Sequence, residues 1–271
     1  MPELPEVETT RRGIERSASG RHISEFRIYD HRLRWPIDRS VPGQLVDQQI
    51  AAVERRAKYL LLRLTRGTLI LHLGMSGSLR LLPRDTERIK HDQFDLFLDS
   101  GVTLRFNDPR RFGSLHYTTD DPSQHKLLRS LAPEPFDKEF NTDYLFRITR
   151  RRSAAIKQVL MNGRLVTGVG NIYASEALFR ARINPRRAAR RLTRAECARL
   201  VRAVRAALQA AIRAGGTTLR DYVGTDGNPG YFRQKLYVYE RDGKACRVCA
   251  NLVRKITQGQ RSTYYCAHCQ H

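Results

Sequence analysis

The chain has 271 residues, enough for two domains with a substantial hydrophobic core. It carries 49 Lys and Arg against 27 Asp and Glu, a formal net charge of +22, which favours nucleic acid as a partner ahead of an acidic membrane surface. No apolar run approaches the ~18 residues of a membrane-spanning helix, and the acidic N-terminus lacks a signal-peptide pattern. We therefore expect a cytoplasmic protein.

The chain begins Met-Pro-Glu-Leu-Pro-Glu-Val-Glu-Thr. Removal of Met1, which a small second residue such as proline permits, would turn Pro2 into a free secondary amine. Because an α-amino group has a pKa of roughly 7.7–8.0, part of it is neutral and nucleophilic at pH 7. Such an amine forms an iminium when it attacks a sugar C1′. Glu3 is adjacent and Glu6 lies one helical turn on. On these residues alone, a capped N-terminal helix is the simpler interpretation.

Residues 22–118 are predicted to be rich in β-strands. Apolar runs at 59–64 and 68–73 are separated by Arg66-Gly67, which is typical of a hairpin, and runs at 94–98 and 102–106 flank a second turn. Several short strands at this spacing predict a sandwich or barrel. The proline-rich segment 131–136 is the first predicted domain boundary.

From residue 143 to 214 the pattern predicts helices, at 154–161, 172–182 and 193–213, the last with a capping box between Thr193 and Glu196. Residues 147–213 contain 17 Lys and Arg but only two Asp and Glu, which predicts a bound polyanion rather than an ordinary solvated face. The glycine-rich segment 215–231 is predicted to be a long functional loop. A strand-like run begins at Lys235.

Four of the five cysteines have the spacing of a metal site: Cys246-x2-Cys249-x16-Cys266-x2-Cys269. Two close thiolate pairs on two hairpins predict one structural Zn²⁺, held in a closed tetrahedral site. Iron is the alternative, but four cysteines with no open position favour zinc. The remaining cysteine, Cys197, is predicted to be buried and inert. Arg261 lies between the two pairs and is expected at a hairpin tip.

The N-terminal segment resembles that of the formamidopyrimidine-DNA glycosylases, bacterial enzymes that remove oxidised purines from DNA. The resemblance extends from Met1 to Cys269 through the segments Arg-Arg-Ala-Lys-Tyr-Leu at 55–60, Asn-Asp-Pro-Arg-Arg-Phe-Gly at 107–113 and Gly-Asn-Ile-Tyr-Ala-Ser-Glu at 170–176. It implies an α+β fold: an N-terminal β-sandwich domain with an N-terminal helix (2–132), a C-terminal helical domain with a helix–two-turn–helix and a lesion-capping loop (133–232), and a zinc-finger hairpin (233–271).

The resemblance also implies a bifunctional activity, glycosylase and abasic-site lyase, with no diffusible cofactor. Pro2 would attack C1′ while Glu3 acts as acid, and β,δ-elimination would then cleave the strand. Lys58 would contact phosphate and assist elimination, and Arg261 would reach the DNA backbone and help the second cleavage. The implied catalytic residues are Pro2, Glu3, Glu6, Lys58, Glu176 and Arg261, where Glu176 would orient the amine.

Seven further residues are implied contacts with damaged double-stranded DNA. Met75, Arg110 and Phe112 would form a wedge that fills the gap left by an extruded base, offsetting part of the few kcal/mol lost on flipping. Lys157 and Asn171 would hold phosphates beside the lesion, with Asn171 also capping its helix. His91 and Arg152 match further family contacts. Where the family often has a second histidine, this chain has Gln93.

Three other interpretations remain open at this stage. An endonuclease VIII-type enzyme would act on oxidised pyrimidines, although that branch typically has glycine where this chain has Leu4. A non-catalytic zinc-containing DNA-binding protein would need neither Pro2 nor Glu3, and charge alone would also fit an RNA-binding zinc protein. For the glycosylase we expect a monomer without membrane contact, associated with the bacterial nucleoid.

Overall fold

The computed structural model describes residues 2–216 and 236–271. Their contacts form two compact units: residues 2–129 with 214–216, and residues 130–213 with 236–271. The three-part division at 132 and 232 stays a prediction. Within the described ranges, no helix is both long and apolar enough to cross a bilayer.

The first unit is a two-sheet sandwich with a long helix, α1 (Leu4–Ala18), and a short one, α2 (Val41–Leu45). Both sheets are four-stranded and antiparallel, with orders β1-β6-β7-β5 and β2-β3-β4-β8. The strands are β1 Ile23–Ile28, β2 Ile50–Arg56, β3 Tyr59–Leu64, β4 Thr68–His72, β5 Ser78–Pro83, β6 Asp92–Leu98, β7 Val102–Asn107 and β8 Ser114–Thr118.

One hydrophobic core joins the two sheets and α1. Leu62 and Leu71 from one sheet and Phe94 and Phe106 from the other belong to the same buried cluster, together with Ile14 of α1. The Phe94 and Phe106 rings are stacked with their centroids 5.1 Å apart. Burial on both inner faces is the physical basis of the sandwich, and the predicted β-rich region and its two hairpins are confirmed.

The second unit contains four α-helices and a two-stranded hairpin: α3 Thr142–Thr149, α4 Ile156–Met161, α5 Asn171–Arg180, α6 Arg194–Arg213, β9 Arg254–Gln258 and β10 Arg261–Tyr265. The three predicted helices are present. The capping box also forms, because the N–H of Thr193 donates to Glu196 Oε2 at 2.8 Å and the N–H of Glu196 donates to Thr193 Oγ1 at 3.2 Å.

The strand predicted to lead into the cysteines is wrong for residues 236–245, which form turns. An isolated bridge between Ala245 and Leu252 closes the segment that carries the first cysteine pair, and the second pair follows β10. One strand hairpin and one bridged turn therefore replace the two predicted hairpins. Four closely spaced thiols can be presented by turns alone, so spacing did not specify strands.

Candidate active site

The N-terminus of α1 buries two carboxylates in a reciprocal capping box. Glu3 is the N-cap residue: its side chain accepts the N–H of Glu6, and its own N–H donates to Glu6 Oε2 at 2.9 Å. Glu3 is 2% exposed, Glu6 is 0% exposed, and Pro2 is buried. The box fixes the backbone of Glu3 next to Pro2. Glu6 thus has a positioning contact with Glu3.

The segment predicted to cover the base, 215–231, lies outside the described residues apart from Gly215 and Gly216. Gly216 lies beside Glu6, since a Cβ at this position would be 3.4 Å from Glu6 Cγ. Its φ of +83° is a conformation that favours glycine. Gly216, the last residue described before the gap, therefore lies against the Glu6 side chain of the capping box.

Lys58 lies in the tight turn between β2 and β3, directly after Ala57, whose φ is +56°. The nearby ring of His72 is kept neutral: burial, with the charges of Lys58 and Arg34, lowers its pKa to about 4. A neutral His72 can accept at Nδ1, which receives the N–H of Gly74 at 2.9 Å. The Lys58 charge therefore acts on His72, and His72 in turn accepts a hydrogen bond from the turn that carries Met75.

The structure brings together the two turns that carry the predicted wedge of Met75, Arg110 and Phe112. A Cβ on Gly74 would lie 2.4 Å from the backbone N of Gly113, so only glycine permits this contact. Phe112 is 45% exposed and the Arg110 guanidinium lies over its ring, 5.1 Å from the centroid. An exposed aromatic ring beside a cation suits insertion into a base stack.

Asp108 is the buried acceptor that joins these two turns. Its Oδ1 accepts the hydroxyl of Ser76 at 2.8 Å, and its Oδ2 accepts the N–H of Gly113 at 2.7 Å. The N–H of Arg110 donates to Ser76 Oγ at 3.2 Å and to Asp108 Oδ1 at 3.3 Å. The hydrogen bonds of this one carboxylate thus fix the two wedge turns relative to each other. Asp108 was not among the residues predicted from the sequence.

His91 is attached to the same framework through its backbone. It has a φ of +73°, and its carbonyl accepts the N–H of Asp108 at 3.0 Å. The amide of Gln93 donates to the carbonyls of His91 and Asp108. Gln93 is 1% exposed, so the residue that departs from the family pattern is a buried link between His91 and the wedge turn.

In the second unit, Lys157 is buried and donates to three protein acceptors. They are Asn171 Oδ1 at 2.6 Å, Thr263 Oγ1 at 2.7 Å and the carbonyl of Ser262 at 3.0 Å. The prediction that Asn171 caps its helix is wrong: Gly170 is the N-cap, and the Asn171 oxygen is used by Lys157. Phosphate contacts stay predictions, and the partly exposed Asn171 is better placed for one than the buried ammonium.

Glu176 is 1% exposed, so its side chain does not lie on the surface of α5. Its carboxylate accepts backbone N–H groups of Tyr237 at 2.9 Å, Val238 at 2.9 Å and Tyr239 at 3.0 Å. Burial raises the pKa of this carboxyl, and the three backbone N–H donors oppose the increase. These contacts anchor the segment that enters the zinc finger, whereas orientation of the amine stays a prediction.

The four finger cysteines fit one tetrahedral Zn²⁺. Their sulfur atoms all lie within 4.8 Å of one another, with Cys246 and Cys269 at 4.0 Å and Cys249 and Cys266 at 3.4 Å. Zn–S bonds of about 2.3 Å require sulfur separations of roughly 3.8 Å. The donor set leaves no open position, as a structural site requires. Cys197 is buried, and burial raises the pKa of its thiol, in keeping with an inert residue.

Arg261 begins β10 directly after the turn residues Gly259 and Gln260, whose φ values are +53° and +61°. Two positive φ values at the central positions suit a two-residue hairpin turn. Arg261 is exposed at this tip, as expected. Arg152 is also exposed, and its Nε donates to the carbonyl of Ile148 at 2.9 Å.

Three family models match successive parts of the chain. They are the formamidopyrimidine-DNA glycosylase N-terminal domain at residues 1–115, the formamidopyrimidine-DNA glycosylase H2TH domain at residues 131–223, and a zinc finger found in FPG and IleRS at residues 243–271. The three models follow the chain in the same order as the β-sandwich, the helices and the four-cysteine site.

Curated relatives match over their full length. The formamidopyrimidine-DNA glycosylase of Thioalkalivibrio sulfidiphilus is 57% identical over 270 residues, and that of Stutzerimonas stutzeri is 53% identical over 270 residues, each covering 100% of both chains.

Solved structures agree with this match. The MutM (Fpg) protein of Thermus thermophilus is 39% identical, with a TM-score of 0.89 over 99% of this chain and 98% of that chain. A Lactococcus lactis Fpg mutant in complex with Fapy-dG containing DNA is 31% identical, with a TM-score of 0.93 over 99% of each chain. These matches favour the glycosylase interpretation over the alternatives, and the chain belongs to the formamidopyrimidine-DNA glycosylase family.

Proposed function

We propose that this protein excises oxidised purines, such as 8-oxoguanine and formamidopyrimidines, from double-stranded DNA and then nicks the abasic site, with Pro2 as its nucleophile. The observation that carries the proposal is the buried arrangement of Pro2 and Glu3 at the start of α1, fixed by the capping box with Glu6. Relatives crystallised with Fapy-dG and with abasic-site DNA support this choice of substrate.

The chemistry uses the chain's own groups. The Pro2 nitrogen, freed by removal of Met1, attacks C1′ and displaces the damaged base while Glu3 supplies a proton to the opening sugar. The resulting iminium acidifies the C2′ proton, and elimination first breaks the 3′ and then the 5′ phosphate bond. Lys58 assists this proton transfer, and Arg261 assists the second cleavage.

DNA binding divides between residues that act within the base stack and residues that contact the backbone. Phe112 and Met75 replace the extruded nucleotide in the stack, while Arg110 contacts the partner base that is left unpaired. Asn171, Arg152 and His91 contact the backbone, where the Arg152 guanidinium neutralises a phosphate charge. Because double-stranded DNA is the proposed substrate, we infer that the protein acts at the nucleoid.

A nicking assay on a duplex with one 8-oxoguanine opposite cytosine tests the proposal. Pro2→Gly and Glu3→Gln should each lower the single-turnover nicking rate by at least about a hundredfold, whereas Pro5→Ala, in the same helical turn, should keep the wild-type rate. Equal rates for Pro2→Gly and wild type would rule out the proline mechanism. Faster incision at thymine glycol than at 8-oxoguanine would instead indicate the pyrimidine-specific branch.

A further inference from the structure

Three exposed arginines line a groove at the far end of α5 from Asn171. Arg180 ends α5. Arg199 and Arg202 share one face of α6 with Ala203 and Ala206, at the i, i+3, i+4 and i+7 positions. These five residues line a shallow groove of about 330 Å³. We call Arg180, Arg199 and Arg202 the α5–α6 arginine surface.

These guanidinium groups have little neutralisation within the protein. Across residues 2–216 and 236–271, their one ion pair joins Arg199 to Glu196 at 3.8 Å, and Glu196 already pairs with Arg187 at 2.6 Å. The Arg180 charge also acts on the buried carboxylate of Glu176, whose oxygens accept backbone N–H groups. Arg180 lies over the Tyr237 ring, 5.3 Å from its centroid. Like charges that line one groove repel each other, so an anion that bridges them would be stabilised.

The surface is separate from the phosphate contacts predicted around the lesion. Asn171 and Arg180 are the first and last residues of α5, and a rise of 1.5 Å per residue places them about 13 Å apart along the helix axis. A phosphate bound at Arg180 is therefore not one that Asn171 could hold.

The chemistry of the groove favours a nucleic acid backbone over a protein. Protein interfaces depend on a buried aromatic or aliphatic anchor, but the apolar residues that line this groove are two alanines. Small side chains let a sugar-phosphate backbone approach, and guanidinium groups match phosphate geometry. We propose that the α5–α6 arginine surface binds a second segment of duplex DNA while the active site holds the first.

Such a surface would let the protein pass between DNA segments during its search for lesions. This role rests on the proposed function only in that the protein binds DNA. It predicts that variants of the surface affect the search for lesions but not the excision reaction. Variants of the surface should weaken capture of a second duplex and slow the search on long DNA. They should leave the excision rate on a short lesion duplex unchanged, because no reacting atom is near.

The test uses the full-length protein with its first site filled. Borohydride trapping on a short 8-oxoguanine duplex occupies the active site, and a labelled undamaged duplex is then titrated by fluorescence anisotropy at several salt concentrations. The wild-type adduct should bind it with a log–log salt slope of about 2–3, as expected for three phosphate contacts. The Arg199→Glu/Arg202→Glu variant should bind at least about tenfold more weakly.

The matched control is Arg190→Glu/Arg191→Glu, an exposed pair with the same charge change outside the groove, which should weaken the second binding less than about twofold. An equal loss in control and variant, or no second duplex on the wild-type adduct, would overturn the proposal. A loss of short-duplex excision in the groove variant would assign these arginines to the first site and also overturn it.

If the proposed Pro2 chemistry is wrong, no adduct will be trapped, and this outcome is distinct from a failure of the second-surface proposal. In that case sedimentation of the free protein with excess undamaged duplex gives the stoichiometry without chemistry. Two duplexes per wild-type chain and one per Arg199→Glu/Arg202→Glu chain support the second surface, whereas one duplex for both excludes it. Circular dichroism of both variants checks that they are folded.

Discussion

Arg55 of β2 and Glu8 of α1 form an ion pair in which Arg55 Nε lies 3.2 Å from Glu8 Oε2 and both side chains are largely buried. The same guanidinium donates through Nη1 to the carbonyl of Ala57 at 3.0 Å. Although burial raises the pKa of Glu8, hydrogen bonds and charges from its arginine neighbours hold that pKa below its usual value. Arg55 thus connects the helix that begins beside Glu3 to the turn that carries Lys58.

This connection makes Arg55 a positioning residue. Because a misplacement of about 1 Å lowers a rate by up to about a hundredfold, Arg55→Ala should lower kcat for nicking by roughly ten- to a hundredfold while KM changes less than threefold. Ala57→Gly is the matched control: glycine accepts the φ of +56° without strain, so activity should be kept. A wild-type kcat for Arg55→Ala, or an effect on KM alone, would contradict this role.

Asp108 should control insertion of the wedge. In Asp108→Asn an amide N–H₂ must face either the N–H of Gly113 or the hydroxyl of Ser76, leaving a buried donor unpaired at a loss of about 1–3 kcal/mol in the free energy of unfolding. The Arg110 and Phe112 turn would loosen, and the fluorescence change of 2-aminopurine beside the lesion should slow by tenfold or more, roughly what 1.4 kcal/mol gives.

The control for that variant is Asp121→Asn, another turn aspartate, which accepts the N–H of Ser123 on the exposed surface. It should behave as wild type in both unfolding and wedge insertion. If Asp108→Asn loses stability but inserts the wedge at the wild-type rate, Asp108 has only a structural role.

Removal of zinc should lower DNA affinity by changing the positions of residues outside the zinc finger. Loss of the metal unfolds a four-thiolate site of this type, and β10 would then no longer hold Thr263 and Ser262 against the Lys157 ammonium. A buried ammonium without two of its acceptors would move toward water and release Asn171. We expect a strong chelator to lower DNA affinity at least tenfold, with added Zn²⁺ restoring it. An apo-protein of full affinity, checked by metal analysis, would contradict the coupling.

Stability should fall with acid through His72. Its folded pKa of about 4 lies below the ordinary value of 6.5, so between these pH values the unfolded chain binds a proton that the folded chain does not. This contribution is fully present above pH 6.5, decreases as the pH falls, and is lost below about pH 4. Its upper limit is about 3 kcal/mol.

Urea unfolding of wild type and His72→Gln at pH 7 and pH 4.5 measures this contribution. The variant should lose less stability between the two values. His116, whose pKa burial also lowers to about 4, keeps part of the slope in every variant. Identical pH slopes for wild type and His72→Gln would show that His72 does not titrate as the structure requires.

Much of this architecture was accessible from local pattern. Strand alternation and turn residues predicted the sandwich, charge and capping residues predicted α6, and cysteine spacing predicted the metal site, because each depends on neighbours within a few residues. The buried state of Lys157 was not accessible, since its acceptors at 262 and 263 lie about a hundred residues away in sequence. The role of Asp108 was not accessible either, since one of its partners, Ser76, lies 32 residues away in sequence.

The burial of Glu176 also could not be predicted from the sequence. Its position in a helix is compatible with either a surface or a buried side chain. It is buried because the backbone N–H groups of residues 237–239, about sixty residues later, donate to its carboxylate. The resemblance named it as a functional acid without indicating that backbone amides would occupy its oxygens.

The most direct test of the Pro2 mechanism is peptide mass analysis of the borohydride-trapped adduct formed on an 8-oxoguanine duplex. The account predicts one deoxyribose-phosphate mass on the N-terminal peptide, attached to Pro2, and no adduct when an uncleaved extra residue precedes Pro2. An adduct mapped to Lys58 or to any other lysine, or trapping that survives the N-terminal extension, would contradict it.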